Sequence, residues 1–201
     1  MRIVCLDLEG VLIPEIWIAF SEATGITALQ RTTRDEPDYD ALMRFRLEIL
    51  RKEGLKLPDI TRVISCMEPL EGAVPFIRAL REQTGLIILS DTYEEFARPL
   101  MAKLAYPTLF CNRLEVAPDG SITGYRLRQK DGKRKAVEAL QSLHLAVFAA
   151  GDSFNDLSMI RAACGGCLFR APGAIREGQP DLPAVDTYDE LLDRITAFLR
   201  S

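Results

Sequence analysis

Four apolar residues, Ile3-Val4-Cys5-Leu6, run from the start of the chain straight into Asp7-Leu8-Glu9-Gly10. A short unbroken apolar run rich in β-branched side chains reads as a strand buried on both faces. Such a strand in a parallel sheet presents its C-terminal end to solvent and ligand, and here that end carries two carboxylates. Taken alone, Asp, Glu and Gly also make an ordinary polar turn. Two further apolar runs tilt the balance. Leu86–Leu89 ends in Ser90-Asp91-Thr92, and Ala146–Ala150 ends in Gly151-Asp152-Ser153-Phe154-Asn155-Asp156.

Between the first two of these strands the pattern is helical. Pro14 suits the first position of a helix whose stripe is Ile16, Trp17, Phe20 and Ala23, with Gly25 at its end. Residues 26–37 read as a polar loop. Asp38 can cap a second helix reaching Glu53, with Leu42, Phe45, Ile49 and Leu50 on its apolar face and Arg46 inside that stripe. A third helix covers about residues 58–66. A simple crossover needs one helix, so residues 14–70 read as an inserted helical cap, with residues 1–13 and 71–201 as the core domain.

From Gly72 the rhythm is βα. Helices are expected over 72–83 and 93–104, a strand over 108–111, and a hairpin around Asp119-Gly120. A helix opens at Lys130-Asp131-Gly132-Lys133-Arg134-Lys135 and runs to His144. A strand at 167–170 and a helix at 187–199 close the chain. The expected class is α/β, a doubly wound parallel sheet.

The totals exclude several functions. A net charge of −4 gives no reason to expect nucleic acid or an anionic membrane as partner. No apolar run approaches the ~20 residues needed to span a bilayer, and the first residues lack a signal-peptide pattern. Five cysteines, an odd number without secretory context, read as free thiols in a reducing compartment, hence cytoplasmic. Cys164-Gly165-Gly166-Cys167 lacks a second pair and reads as a helix end, a Gly-Gly turn and the next strand, not a zinc or redox site. A serine hydrolase is excluded because the single histidine, His144, ends a helix away from every strand-end motif.

In a parallel sheet Asp7/Glu9, Ser90/Asp91 and Asp152 with Asn155 and Asp156 gather at one edge. Clustered carboxylates repel, so a cation is needed. Oxygen donors without His or Cys point to a hard one, Mg2+ first among them. Lys133 supplies a second argument. A cation in the first turn of a helix opposes the macrodipole by about 0.3–1 kcal/mol. A lysine placed there is therefore positioned to meet an anion, and Ser90 and Asn155, read as helix starts, offer a phosphate position.

These residues, in this order, carry a resemblance. Asp7-Leu8-Glu9-Gly10-Val11, Ser90 after an apolar strand, Lys133, and Gly151-Asp152 with Asn155-Asp156 resemble the four motifs of the haloacid dehalogenase superfamily of phosphatases, whose core is a Rossmann-like sheet. Pro14-Glu15-Ile16-Trp17, Leu70-Glu71-Gly72-Ala73-Val74 and Ile88-Leu89-Ser90-Asp91-Thr92 narrow it to phosphoserine phosphatases, and among these to a kind that also phosphorylates homoserine. The resemblance implies that Asp7 is the nucleophile and that Glu9 is the acid–base. It implies that Asp7, the Glu9 carbonyl and Asp152 hold Mg2+, with Asp156 steadying them. Ser90 and Lys133 would hold the phosphoryl oxygens, Asn155 would add a hydrogen bond, and Asp91 would belong to the same substrate- and phosphate-binding set. Glu15 and Arg46 match the positions that take the ammonium and carboxylate of the substrate. The sequence departs from the superfamily at Glu9, usually Asp, and at Ser153, usually Gly. The implied substrate is phosphoserine, with homoserine as a second phosphoryl acceptor. A phosphatase for another small phosphomonoester and a catalytically idle phosphate- or metal-binding module stand as alternatives.

Overall fold

The computed structural model describes residues 1–32, 35–36 and 38–201. Thr33, Arg34 and Pro37, part of the polar loop expected over 26–37, lie outside the described residues. The elements follow in the order β1 (Arg2–Leu6), α1 (Ile16–Thr24), α2 (Tyr39–Lys52), α3 (Leu57–Cys66), α4 (Ala73–Arg81), β2 (Gly85–Tyr93) and α5 (Glu94–Lys103). Then come β3 (Thr108–Val116), β4 (Ile122–Arg126), α6 (Gly132–Ser142), β5 (Ala146–Gly151), α7 (Leu157–Ala162), β6 (Gly165–Phe169), α8 (Gly173–Gly178), β7 (Ala184–Val185) and α9 (Tyr188–Arg200).

The strands form one sheet in the order β4-β3-β2-β1-β5-β6-β7, parallel except for the β3–β4 pair. The chain steps outward from β1 to β2 and β3, then returns to the other side of β1 with β5. Beside β1 the winding therefore reverses, and the crevice at that reversal lies outside the strand ends carrying Asp7 and Asp152. Register fixes their proximity: Leu6 pairs with Ile88 on one side and Ala150 on the other.

Side chains alternate across each strand, so each central strand feeds two cores. Val4, Leu6, Leu86, Ile88, Phe148 and Ala150 join one apolar cluster with α4, α5 and α9. Ile3, Cys5, Ile87, Leu89, Val147 and Ala149 join the other, under α6, α7 and α8. Trp17 and Phe20 of α1, Met43 and Leu50 of α2, and Ile60 and Ile64 of α3 belong to the first cluster. The helical segment thus shares its apolar contacts with the sheet-covering helices. Among the described residues no helix is long and apolar enough to cross a membrane.

Several expectations are corrected. α1 begins at Ile16, after Pro14 and with Glu15 at its N-cap. Ser90 lies inside β2, which continues to Tyr93, so it is no helix start. The strand expected over 108–111 extends to Val116 because its outer half pairs with β4 in the hairpin. On α2 it is Met43 that is buried with Leu42, Arg46 and Leu50, while Phe45 is half-buried under the Arg31 guanidinium. Gly165-Gly166 is not a turn but the start of β6, which ends at Phe169. A Cβ on Gly166 would lie 2.5 Å from the Ala149 carbonyl oxygen, so close strand approach explains that glycine. The short 3-10 turn Thr27–Gln30, α8 and β7 carry too few residues to show a period and were not expected.

Candidate active site

Asp7 follows β1 directly, and its N–H extends the sheet by donating to the Ala150 carbonyl at 3.0 Å. The residue is 5% exposed. Lys133, in the first turn of α6, reaches the same point. Its Nζ lies 2.9 Å from Asp7 Oδ1, 2.7 Å from Asp156 Oδ1 and 3.6 Å from Asp91 Oδ2, and the residue is 4% exposed. Burial alone would lower the pKa of this ammonium. Asp156, Asp7 and Asp91 outweigh burial and hold it well above the lysine range. Burial, and then the charge of Asp156, push the Asp7 carboxyl well above its usual range, against Lys133. One buried cation among three acids leaves negative charge uncompensated.

Asp156 is the hub of the loop after β5. Its Oδ2 accepts from the N–H groups of Asp152 at 3.1 Å and Ser153 at 3.0 Å, and from the Ser153 hydroxyl at 2.8 Å. The serine that replaces the usual glycine therefore adds a bond to this hub. Among the described residues, Asp7, Asp152 and Asp156 bring carboxylate oxygens within 4.8 Å of one another, all buried. Gly10 makes room for them. Its φ is +75°, and a Cβ there would lie 2.5 Å from Asp152 Cγ. An all-oxygen, buried and acid-rich cradle of this kind suits a small hard cation.

Glu9 turns the other way. Its Oε2 accepts from the Ile16 N–H at 2.8 Å and so caps α1 from outside the helix. Glu15, the N-cap residue, makes no such bond itself, and Pro14 has no N–H to offer. The extra methylene of Glu over Asp is what gives this reach. Burial, then the charge of Glu15, raise the Glu9 carboxyl to about 7, against the Ile16 N–H and Arg46.

Arg46 projects from α2 and is 6% exposed. Its guanidinium lies over the Trp17 ring at 4.6 Å, and Nη2 donates to the Arg31 carbonyl at 2.8 Å. Among the described residues its buried Nε finds no hydrogen-bond partner. Burial lowers its pKa, while Tyr39 and Glu9 counteract. A buried guanidinium N–H with no acceptor costs free energy unless a ligand supplies one. Beside it the Tyr39 and Tyr93 hydroxyls meet at 2.7 Å. Sequence reasoning missed Trp17, Tyr39 and Tyr93 as site residues, since aromatic residues at helical and strand spacing look like core. It also missed Asn112, whose Nδ2 donates to the Asp91 carbonyl at 3.0 Å.

A cavity of about 670 Å3 joins these parts. Asp7, Glu9, Glu15, Arg46, Ser90, Asp91, Lys133, Asp152 and Asn155 all line it, while Asp156 lies buried behind. The structure thus brings every sequence-predicted site residue to one place, Asp91 among them. Its carboxylate cannot donate to a phosphoryl oxygen, and it accepts from Asn155 Nδ2 at 2.6 Å. The Ser90 hydroxyl accepts from the Thr92 N–H at 3.2 Å.

The family of haloacid dehalogenase-like hydrolases matches over residues 7–161, from the Asp7 carboxylate through the Asp152–Asp156 loop. The chain belongs to that family. Phosphoserine phosphatase ThrH of Pseudomonas aeruginosa is 56% identical to this hydrolase over 191 residues, covering 95% of this chain and 93% of that protein. A phosphoserine phosphatase of Pseudomonas syringae pv. tomato is 55% identical, covering 95% of this chain and 81% of its own. Among solved structures, one described as a phospho-aspartyl intermediate analogue of phosphoserine phosphatase superposes with a TM-score of 0.77. It covers 96% of this hydrolase and 97% of that chain at 20% identity, a likeness of fold.

Proposed function

We propose that this hydrolase is a Mg2+-dependent phosphoserine phosphatase that works through a phosphorylated Asp7 and also transfers the phosphoryl group to homoserine. The names of its relatives support the first activity. The observation that carries the reading is the pairing of two unlike ends in one cavity. A buried acid–lysine cluster around Asp7 lies at one end, and Arg46, its buried Nε unpartnered among the described residues, lies near Glu9 and Glu15 at the other. A small amino acid bearing a phosphate has chemistry for both ends. Residues 14–70 are then a cap that supplies the amino-acid end, and residues 1–13 with 71–201 the core that supplies the phosphoryl end.

In this reading Arg46 takes the substrate carboxylate and Glu15 its ammonium. Lys133, Ser90 and Asn155 hold the phosphoryl oxygens. Asp7, the Glu9 carbonyl and Asp152 would hold Mg2+, whose charge keeps Asp7 ionised and offsets that of the phosphoryl group. A carboxylate oxygen of Asp7 attacks phosphorus, and the bond from phosphorus to the serine oxygen breaks. Glu9, raised to about 7 and so partly protonated at neutral pH, gives its proton to the departing oxygen. The resulting Glu9 carboxylate then takes a proton from the next hydroxyl to enter. That oxygen attacks phosphorus and frees Asp7. With water the product is orthophosphate; with homoserine it is O-phosphohomoserine. A pocket distinguishes one methylene by only about 1–3 kcal/mol, so homoserine can occupy the place serine leaves. The five thiols, all unpaired, accord with work in the cytoplasm.

Phosphorus NMR of the protein with Mg2+ and phosphoserine, with and without homoserine, tests both activities. Orthophosphate is expected without homoserine and a second phosphomonoester with it, and Asp7→Asn should form neither. Absence of orthophosphate from the wild type overturns the phosphatase reading; orthophosphate alone at saturating homoserine overturns the transferase one.

A further inference from the structure

We infer that Asp91 is an internal stand-in for the phosphoryl group. Its carboxylate occupies the phosphoryl cradle while substrate is absent and favours the exit of orthophosphate after turnover. The inference rests on the phosphatase reading above and adds a product-release device to it.

Asp91 Oδ2 accepts from Asn155 Nδ2 at 2.6 Å and lies 3.6 Å from Lys133 Nζ. These are two of the side-chain donors assigned to the phosphoryl oxygens. A phosphoryl group and a carboxylate are both anions, so they compete for these donors and repel each other beside them.

The surroundings of Asp91 allow its side chain to give way without moving the strand. Its carbonyl is pinned by Asn112 Nδ2 at 3.0 Å and by the Tyr39 hydroxyl at 3.4 Å. Asn112 is itself fixed, since its Oδ1 accepts from the Arg128 N–H at 2.9 Å. The Asp91 side chain, by contrast, is 44% exposed and lines the open cavity, so rotation takes its carboxylate into solvent. Asp156, the other carboxylate on Lys133 from outside the nucleophile strand, has no such freedom. It is fully buried and accepts three bonds on one oxygen.

The consequence is electrostatic. A negative charge kept within a few ångströms of the phosphoryl position opposes any phosphate there, whether of substrate or product. Substrate has a second anchor at Arg46 and Glu15. Orthophosphate has none, so under the same opposition the product is held less tightly than the substrate.

The test uses the full chain with Mg2+ and inorganic phosphate as the probe. Its inhibition constant against phosphoserine, and its binding by calorimetry, are compared for wild type, Asp91→Asn and Asp91→Ala. Removal of the charge should tighten inorganic phosphate by about tenfold, as expected for one charge a few ångströms away in a partly solvated site. Inhibition by serine, which carries no phosphate, should not change. A merely structural role would weaken both ligands, so tighter phosphate with unchanged serine is specific to the stand-in. Phosphate binding that is unchanged or weaker in the folded variants overturns the inference. A wild type that releases no phosphate from phosphoserine overturns the reading of the site instead, and the calorimetric comparison still decides the role of Asp91.

Discussion

Replacing Arg46 by alanine isolates the amino-acid end of the cavity from the phosphoryl end. In the structure the residue is 6% exposed, its guanidinium rests on Trp17 at 4.6 Å and spends one N–H on the Arg31 carbonyl, and its Nε has no partner among the described residues. A carboxylate arriving there gains charge-assisted hydrogen bonds worth about 1.5–3 kcal/mol. At about 1.4 kcal/mol per decade, kcat/KM for phosphoserine should fall roughly 10- to 100-fold. An aryl phosphate without an amino-acid head makes no such contact, so its kcat/KM should change by less than about threefold, well under 1 kcal/mol. The alanine also removes the cation over Trp17, a loss of about 0.5–2 kcal/mol of stability. That loss lowers the melting temperature without distinguishing substrates. Arg46→Lys, which keeps the charge but not the planar fork, should recover part of the phosphoserine activity. Steady-state kinetics on both substrates are the assay. Equal losses on the two would refute the reasoning and reduce Arg46 to a residue that packs α2 on α1.

Glu9→Gln keeps the length and an oxygen able to accept from the Ile16 N–H, so α1 stays capped while proton transfer is lost. The rate on phosphoserine should drop by about 10²–10⁴. The loss should be much smaller on an aryl phosphate that departs as a stable anion, and a uniform loss would mark Glu9 as chiefly structural. Gly10→Ala places a Cβ 2.5 Å from Asp152 Cγ on a backbone with φ of +75°. Strain and overpacking together should cost roughly 2–5 kcal/mol. At about 2–4 °C per kcal/mol for a chain of this size, calorimetry should show a melting temperature lower by at least several degrees. An unchanged melting temperature would mean that the loop carrying Asp152 moves aside freely.

What is periodic and local was legible in the order of residues. Apolar runs of strand length, ending in Asp7, Ser90-Asp91 and Asp152, specified a parallel sheet with its chemistry at one edge, because side-chain alternation and strand polarity follow from backbone geometry alone. Asp38 as a cap was equally legible, since its bond to the Ala41 N–H at 3.1 Å spans three residues. Elements too short to show a period, such as β7 and α8, left no such trace. The electrostatics arise only in the folded arrangement. Lys133 could be read as a cation placed for an anion, but not as one buried among Asp7, Asp91 and Asp156, three carboxylates from three separate stretches of chain. Nor could sequence show that Glu9 caps α1, that Arg46 lies over Trp17, or that Asp91 meets Asn155 across 64 positions of chain. Periodicity reports which face of an element is apolar. Which polar groups meet on the other side depends on how elements distant in sequence are brought together, and burial then sets the strength of each charge there.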